Sequence, residues 1–178
     1  PSNDTCQGEL VALTAGYSVN IDGTLIAAGD DLTTFCSYTV SDPGNPDVAY
    51  ELQVTGDITL TAVLTATNFN PAMSIRLTTC GEELGGDTCL DLGSAAEHTL
   101  LGLGTGTYWL VVDSADGSTG PFTLDLTATT PVCGDGVVNP GEQCDPGTAA
   151  ESSDDGCWNS GTQDECTFGE PALDTNVT

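Results

Sequence analysis

Ile58-Thr59-Leu60-Thr61-Ala62-Val63-Leu64-Thr65 is the stretch that decides the fold. Ile58, Leu60, Ala62 and Leu64 occupy every second position, and threonine fills most positions between them. Side chains alternate faces along a strand, so this spacing predicts a strand with one buried face and one wet face. The same period recurs at Met73, Ile75 and Leu77 against Ser74, Arg76 and Thr78, and at Phe122, Leu124 and Leu126 against Thr123, Asp125 and Thr127. Further strands are expected near 9–14, 17–21, 24–27, 50–54, 98–101 and 107–113. Turn-forming clusters separate them, among them Asp42-Pro43-Gly44-Asn45-Pro46 and Asp116-Gly117-Ser118-Thr119-Gly120. Eight or nine short strands with no amphipathic helix between them predict an all-β, antiparallel β-sandwich. Threonine suits the outward face because a β-branched side chain fits a strand and stays wetted without charge.

After Thr130 the composition changes. Residues 133–166 carry four cysteines with many Gly, Asp and Asn, and few large apolar residues beyond Val137, Val138 and Trp158. Such a segment cannot bury a core of its own and has to be held by crosslinks or metal. The expected organisation is a sandwich over 1–130, a small disulfide-stapled, loop-rich module over 131–167, and a tail over 168–178 dotted with Phe168, Leu173 and Val177.

Charge narrows the partners. The 178 residues include 27 acids, one arginine (Arg76), no lysine and one histidine (His98), a formal charge of −26. Phosphate binding needs a basic face, so nucleic acid is excluded as a partner, and an anionic membrane surface is disfavoured for the same reason. No apolar run approaches the ~20 residues that span a bilayer. With 38% apolar and 16% charged residues, the chain is too patterned for general disorder.

The eight cysteines, Cys6, Cys36, Cys80, Cys89, Cys133, Cys144, Cys157 and Cys166, are even in number and lack the tight thiolate pairs of a zinc site. Disulfides, and therefore export to an oxidising compartment, are expected. Pro1 is an odd product of signal cleavage, so the start is expected to be a trimmed one. Asn3-Asp4-Thr5 and Asn176-Val177-Thr178 are N-glycosylation sequons, with Asn3 and Asn176 as acceptors in a host that glycosylates asparagine.

Two resemblances follow from particular residues. Gly29-Asp30-Asp31 with Cys36, then Asn45-Pro46-Asp47-Val48-Ala49-Tyr50, Asn68-Phe69-Asn70-Pro71, and Gly104-Thr105-Gly106-Thr107-Tyr108-Trp109-Leu110-Val111-Val112-Asp113 with Gly120-Pro121-Phe122-Thr123-Leu124 behind it resemble the bacterial pre-peptidase C-terminal domain family. The resemblance runs from Asp4 to Thr129. It implies a jelly-roll-like sandwich used as a secreted binding or accessory module, and disulfides Cys6–Cys36 and Cys80–Cys89. The stretch Cys133-Gly134-Asp135-Gly136-Val137-Val138-Asn139-Pro140-Gly141-Glu142-Gln143-Cys144-Asp145, with Asp154-Asp155-Gly156-Cys157, resembles the cysteine-rich repeat of secreted myxobacterial proteins. The insert from Trp158 to Glu165 departs from its compact ending. The last four cysteines are then expected to pair within the repeat.

Asp135, Asn139, Glu142, Asp145, Asp154 and Asp155 are hard oxygen donors on a chain whose Gly134, Gly136 and Gly141 allow carbonyls to turn inward. Calcium takes six to eight such oxygens, so a disulfide-stapled calcium site is expected there, against the alternative of an acidic loop without an ion. The spacing is not that of an EF-hand. Asp30, Asp31 and Asp47 form a second acidic group, for which turn formation and strand capping are the plainer account.

Catalysis has little to work with. One histidine cannot build a three-histidine zinc site or H-E-x-x-H, and no G-x-S-x-G elbow is present. Cysteines held in disulfides supply no thiolate. Trp109 is expected in the core and not as a sugar platform. The chain is therefore read as non-enzymatic. One expectation is a structural, adhesive subunit that joins copies of itself head to tail by adding its tail or N-terminal strand to a neighbour's sheet edge, giving a homopolymeric extracellular fibre or surface layer. Without lysine, covalent strengthening would come from disulfides and not from Lys–Asn isopeptide bonds. The alternative is a secreted accessory module that recognises polysaccharide or protein, and a weaker one is a hydrolase with an unrecognised carboxylate pair.

Overall fold

The computed structural model describes residues 1–5, 8–32, 45–77, 82–83, 96–134, 137–140, 142 and 144–145, with backbone alone for 82–83 and 96–100. Among the described residues nine strands follow one another: β1 (Glu9–Thr14), β2 (Ser18–Thr24), β3 (Asp47–Thr55), β4 (Ile58–Ala66), β5 (Pro71–Leu77), β6 (Glu82–Glu83), β7 (Ala96–Leu103), β8 (Gly106–Ser114) and β9 (Pro121–Thr129). They form two sheets, one of five strands ordered β1-β3-β8-β5-β6 and one of four ordered β2-β9-β4-β7. The all-β sandwich read from the alternation is the architecture observed.

Most neighbours are antiparallel, as along β3–β8, β5–β8, β4–β7, β4–β9 and β2–β9. β1 and β3 are parallel, in register from Glu9↔Tyr50 to Thr14↔Thr55. Parallel neighbours need a long crossover, and here the chain leaves for the other sheet as β2 before it returns. The separate strand expected over 24–27 does not form. Leu25 N–H donates to Gly120 O, Ile26 N–H donates to Thr24 Oγ1, and Ala27 takes a left-handed φ of 62°, so the chain turns where the apolar pair suggested extension.

The core lies between the inner faces. Leu13, Val48, Leu52, Met73, Ile75, Leu110 and Val112 meet Ile58, Leu60, Leu64, Leu103, Leu124 and Leu126 there. Phe69 and Phe122 close one end edge-to-face, with ring centroids 6.4 Å apart at 79°, a geometry worth ~0.5–1.5 kcal/mol beyond area burial.

Strand β9 alternates buried and wetter positions along its whole length. Strand β5 does not: Pro71 to Arg76 are all buried, Ser74 and Arg76 included. Ala49, Val111, Asp47 and Asp113, which also point away from the core, are buried too. The five-stranded sheet therefore lacks the wet outer face expected of it along its middle strands. Trp109 is corrected with it. Leu110 and Val112 take the inward positions of β8, so Trp109 points outward, half-buried, with no acceptor for its indole N–H among the described residues.

The segment after β9 folds back onto the four-stranded sheet. Thr59 and Gly102 are register partners across β4–β7, and Asn139 sits over them. Thr59 Oγ1 donates to Asn139 Oδ1 at 2.9 Å, and Asn139 Nδ2 donates to Val137 O at 3.1 Å. The contact needs glycine at 102, because a Cβ there would lie 2.8 Å from Asn139 Cα and 3.0 Å from Val138 O. Cys133 and Cys144 are both disulfide-bonded.

Candidate functional site

The register of β3 and β8 pairs Asp47 with Asp113, and that of β5 and β8 pairs Asp113 with Ala72. All three residues point away from the core, at the end of the sheet where β3 begins and β8 finishes. Like charges directly opposite one another across two strands are unfavourable, yet Asp47 is 0% exposed and Asp113 1%. Local hydrogen bonds hold each in place. Ser114 N–H donates to Asp113 Oδ1 at 2.6 Å. Asp31 and Leu32 N–H groups both donate to Asp47 Oδ2 at 2.9 Å.

Asp47 thus does what its sequence context suggested, capping a turn. One of its two oxygens does all of that work. Asp47 Oδ1 is buried and accepts no hydrogen bond from the described residues. Burial pushes the Asp47 carboxyl up to about 6, against the pull of the Leu32 and Asp31 N–H groups, with the charges of Asp31 and Asp30 adding to the rise. A second buried oxygen, Asn70 Oδ1, likewise accepts nothing from the described residues. Asn70 immediately precedes β5 and stands two residues from Ala72.

Loops around this end carry further oxygens. Gly29 O accepts the Asp47 N–H and Gly29 N–H donates to Asp4 Oδ1 at 2.6 Å, so the 29–32 segment is tied to both the strand and the N-terminus. Asn45 is buried two residues before Asp47. Asp116 Oδ1 accepts from Ser114 Oγ and from Ser118 N–H at 3.0 Å each. Burial would raise the Asp116 carboxyl, but the Ser118 and Ser114 hydrogen bonds outweigh it and hold it below the usual carboxylate value.

The calcium residues expected in the cysteine-rich segment are placed in part. Asn139 Oδ1 accepts from Thr59 Oγ1 and its Nδ2 donates to Val137 O. Glu142 Oε2 accepts the Asn139 N–H at 2.7 Å, and Asp145 Oδ2 accepts the Gly134 N–H at 2.8 Å. Asp135, Asp154 and Asp155 lie outside the described residues, as do Cys6, Cys36, Cys80, Cys89, Cys157, Cys166 and Asn176. The pairings Cys6–Cys36 and Cys80–Cys89, and the 168–178 tail, fall there too. Among the described residues no cysteine is free, and no three His, Cys, Asp or Glu side chains converge on one point. Asn3 is buried, with its carbonyl accepting the Ala49 N–H and its side chain bonded to Tyr50. The Tyr50 hydroxyl is pushed up to about 12 by burial, against that Asn3 bond. His98 lies in β7 opposite Val63.

Asp113 and Asn70 were not singled out by sequence. The available signal was an acid ending the apolar run Leu110-Val111-Val112, at a position whose partner across the sheet is another acid.

No family model matches the chain, and no curated protein is similar to it. Solved structures show distant likenesses. The pre-peptidase C-terminal domain of collagenase from Bacillus anthracis is 14% identical with a TM-score of 0.42, over 68% of this chain and 96% of that one. The periplasmic g-type lysozyme inhibitor PliG of Aeromonas hydrophila is 14% identical with a TM-score of 0.39, over 68% and 99%. The C-terminal CBM6 of LamC from Zobellia galactanivorans is 13% identical with a TM-score of 0.30, over 61% and 99%. Likenesses this distant assign neither family nor function. Among the described residues no helix is long and apolar enough to cross a membrane.

Proposed function

We propose that the chain is a non-catalytic, secreted accessory module that presents the Asp47 end of its sandwich to a polysaccharide or protein partner. The observation that carries this reading is the anchoring of the 29–32 segment on a buried carboxylate: Asp31 and Leu32 N–H groups on Asp47, and Gly29 on Asp4. Loops held by a rigid scaffold are where proteins place recognition residues. Asp30 and Asp31 are exposed on this segment, ready to meet a partner. The single histidine and the absence of lysine support a role in contact over one in bond-making. The test is a binding screen of the intact chain against extracellular polysaccharides and secreted proteins. Binding weakened at least tenfold by Asp30→Asn with Asp31→Asn supports the reading. Binding indifferent to those changes, or turnover of any ligand, overturns it.

Self-assembly is the second reading, favoured by strands that end a sheet among the described residues. β1 and β2 each end a sheet, and Leu10 and Ile26 beside those edges are 57% and 58% exposed. An edge strand with free N–H and C=O groups is a template for another chain. Light scattering over a wide concentration range tests it. Growth of chains abolished by Leu10→Lys supports the fibre, and a monomer at all concentrations rejects it.

A further inference from the structure

We propose that β1 is a docking edge for a basic, extended segment of another protein, which joins the five-stranded sheet as a further strand beside it. Among the described residues four strands end a sheet: β1, β6, β2 and β7. Proteins blunt such edges by keeping them short, charging them or covering them. Three of the four are blunted. β6 is two residues long, both of them glutamate. β2 holds Asn20 and Asp22 at exposed positions. β7 contains Glu97, and Val138 and Asn139 lie over its Gly102. β1 is six residues long, with no proline and with Glu9 at its start as its one charge. Val11 and Leu13 turn into the core, while Ala12 is exposed and Leu10 is 57% exposed.

Charge chooses the occupant. The chain carries −26 and no lysine, and its one arginine, Arg76, is 5% exposed. A second copy would bring the same charge to this edge, and a basic segment brings the opposite one. The local chemistry agrees. Leu10 is the register partner of Glu51 on the outward face, Gln53 Nε2 donates to Glu51 Oε1 at 3.3 Å, and Glu9 is exposed beside them. With strands about 4.8 Å apart, an incoming residue opposite Leu10 lies two spacings, about 10 Å, from Glu51. A lysine or arginine there lays its methylene stem over Leu10 and carries its charged head toward Glu51. One side chain then covers the apolar group and pairs the acid, which neither an acidic nor a short side chain does. Strand addition draws affinity from main-chain hydrogen bonds and specificity from alternate side chains. This edge is separate from the Asp47 end, and self-assembly would use the same strand with a different occupant.

The test is fluorescence anisotropy of a short labelled peptide alternating arginine and valine, titrated with the intact chain. Comparison peptides replace arginine with glutamate or carry N-methyl groups along the backbone, and the titration is repeated on Leu10→Lys, Glu51→Gln and Asp22→Asn. The edge predicts that the arginine peptide binds at least tenfold tighter than either comparison peptide. Its binding should weaken more than tenfold in Leu10→Lys and at least threefold in Glu51→Gln, and hold in Asp22→Asn, which removes a like charge from β2. No binding of the arginine peptide overturns the proposal. Equal losses in Glu51→Gln and Asp22→Asn overturn it too, because they would report the field of the whole chain alone. Undiminished binding of the N-methylated peptide rules out strand addition. Self-association of the wild-type chain in sedimentation, lost in Leu10→Lys, would seat a second copy on the edge and also overturn it.

Discussion

Replacing Asp47 with asparagine in metal-free protein should raise stability at neutral pH and leave it unimproved in acid. The Asp47 carboxyl rises from 3.8 to about 6 on folding, chiefly through burial. At 1.36 kcal/mol per unit, this is an ionisation cost of about 3 kcal/mol to the folded state. The sign follows from proton linkage. Below the unfolded value of 3.8 both states hold the proton and nothing is lost. Between about 4 and 6 the folded chain binds more protons than the unfolded one, so stability falls as pH rises, and above 6 the cost is complete. Asparagine keeps an oxygen for the Asp31 and Leu32 N–H groups but leaves amide hydrogens to satisfy, an offset of about 1–2 kcal/mol. The net gain at pH 7.5 is then about 1–2 kcal/mol, or roughly 2–8 °C in Tm for a chain of this size. Thermal melts of both proteins in EDTA from pH 4 to 8 test it through their difference, which cancels the shared titration of the remaining acids. The difference should be near zero or negative at pH 4 and climb through pH 6. A flat difference, or a less stable variant at pH 7.5, would refute the reasoning.

Other expectations concern the core and the docked segment. Leu124→Ala empties a fully buried position and should cost about 2–5 kcal/mol in urea unfolding. Gly102→Ala places a Cβ 2.8 Å from Asn139 Cα; limited proteolysis should then cut near residues 137–145 much faster than in wild type, with a loss of about 1–3 kcal/mol. Reducing the disulfides that hold Cys133 and Cys144 should lower the melting point, with a cost of about 2–5 kcal/mol for the disulfide of a small domain, read by calorimetry with and without dithiothreitol.

The fold was legible where one face alone is buried. Ile58 to Leu64 and Phe122 to Leu126 announce their strands because threonine and aspartate mark the outward positions, and the structure keeps that alternation except at Thr59, which is buried beneath Asn139. Strand β5 hides its second buried face because Ser74 and Arg76 are polar residues enclosed by tertiary contact, which local periodicity does not encode. Leu25 and Ile26 read as strand until Thr24 Oγ1 and Gly120 O are seen to turn the chain. The parallel β1–β3 pair has no signature within either strand. The acidic end was visible as Asp30, Asp31 and Asp47, but its pairing with Asp113 and proximity to Asn70 depend on register across three strands. The contact of Asn139 with Thr59 and Gly102 crosses from the segment after β9 to β4 and β7, which local spacing does not encode.

The most direct measurement is a carbon-13 NMR titration of the Asp47 carboxyl, run in EDTA. A carboxylate buried at the end of the sheet and tied to the 29–32 segment should titrate near 6. A midpoint near 3.8 would show an ordinary hydrated carboxylate, and the acidic end would lose its claim to be a built site.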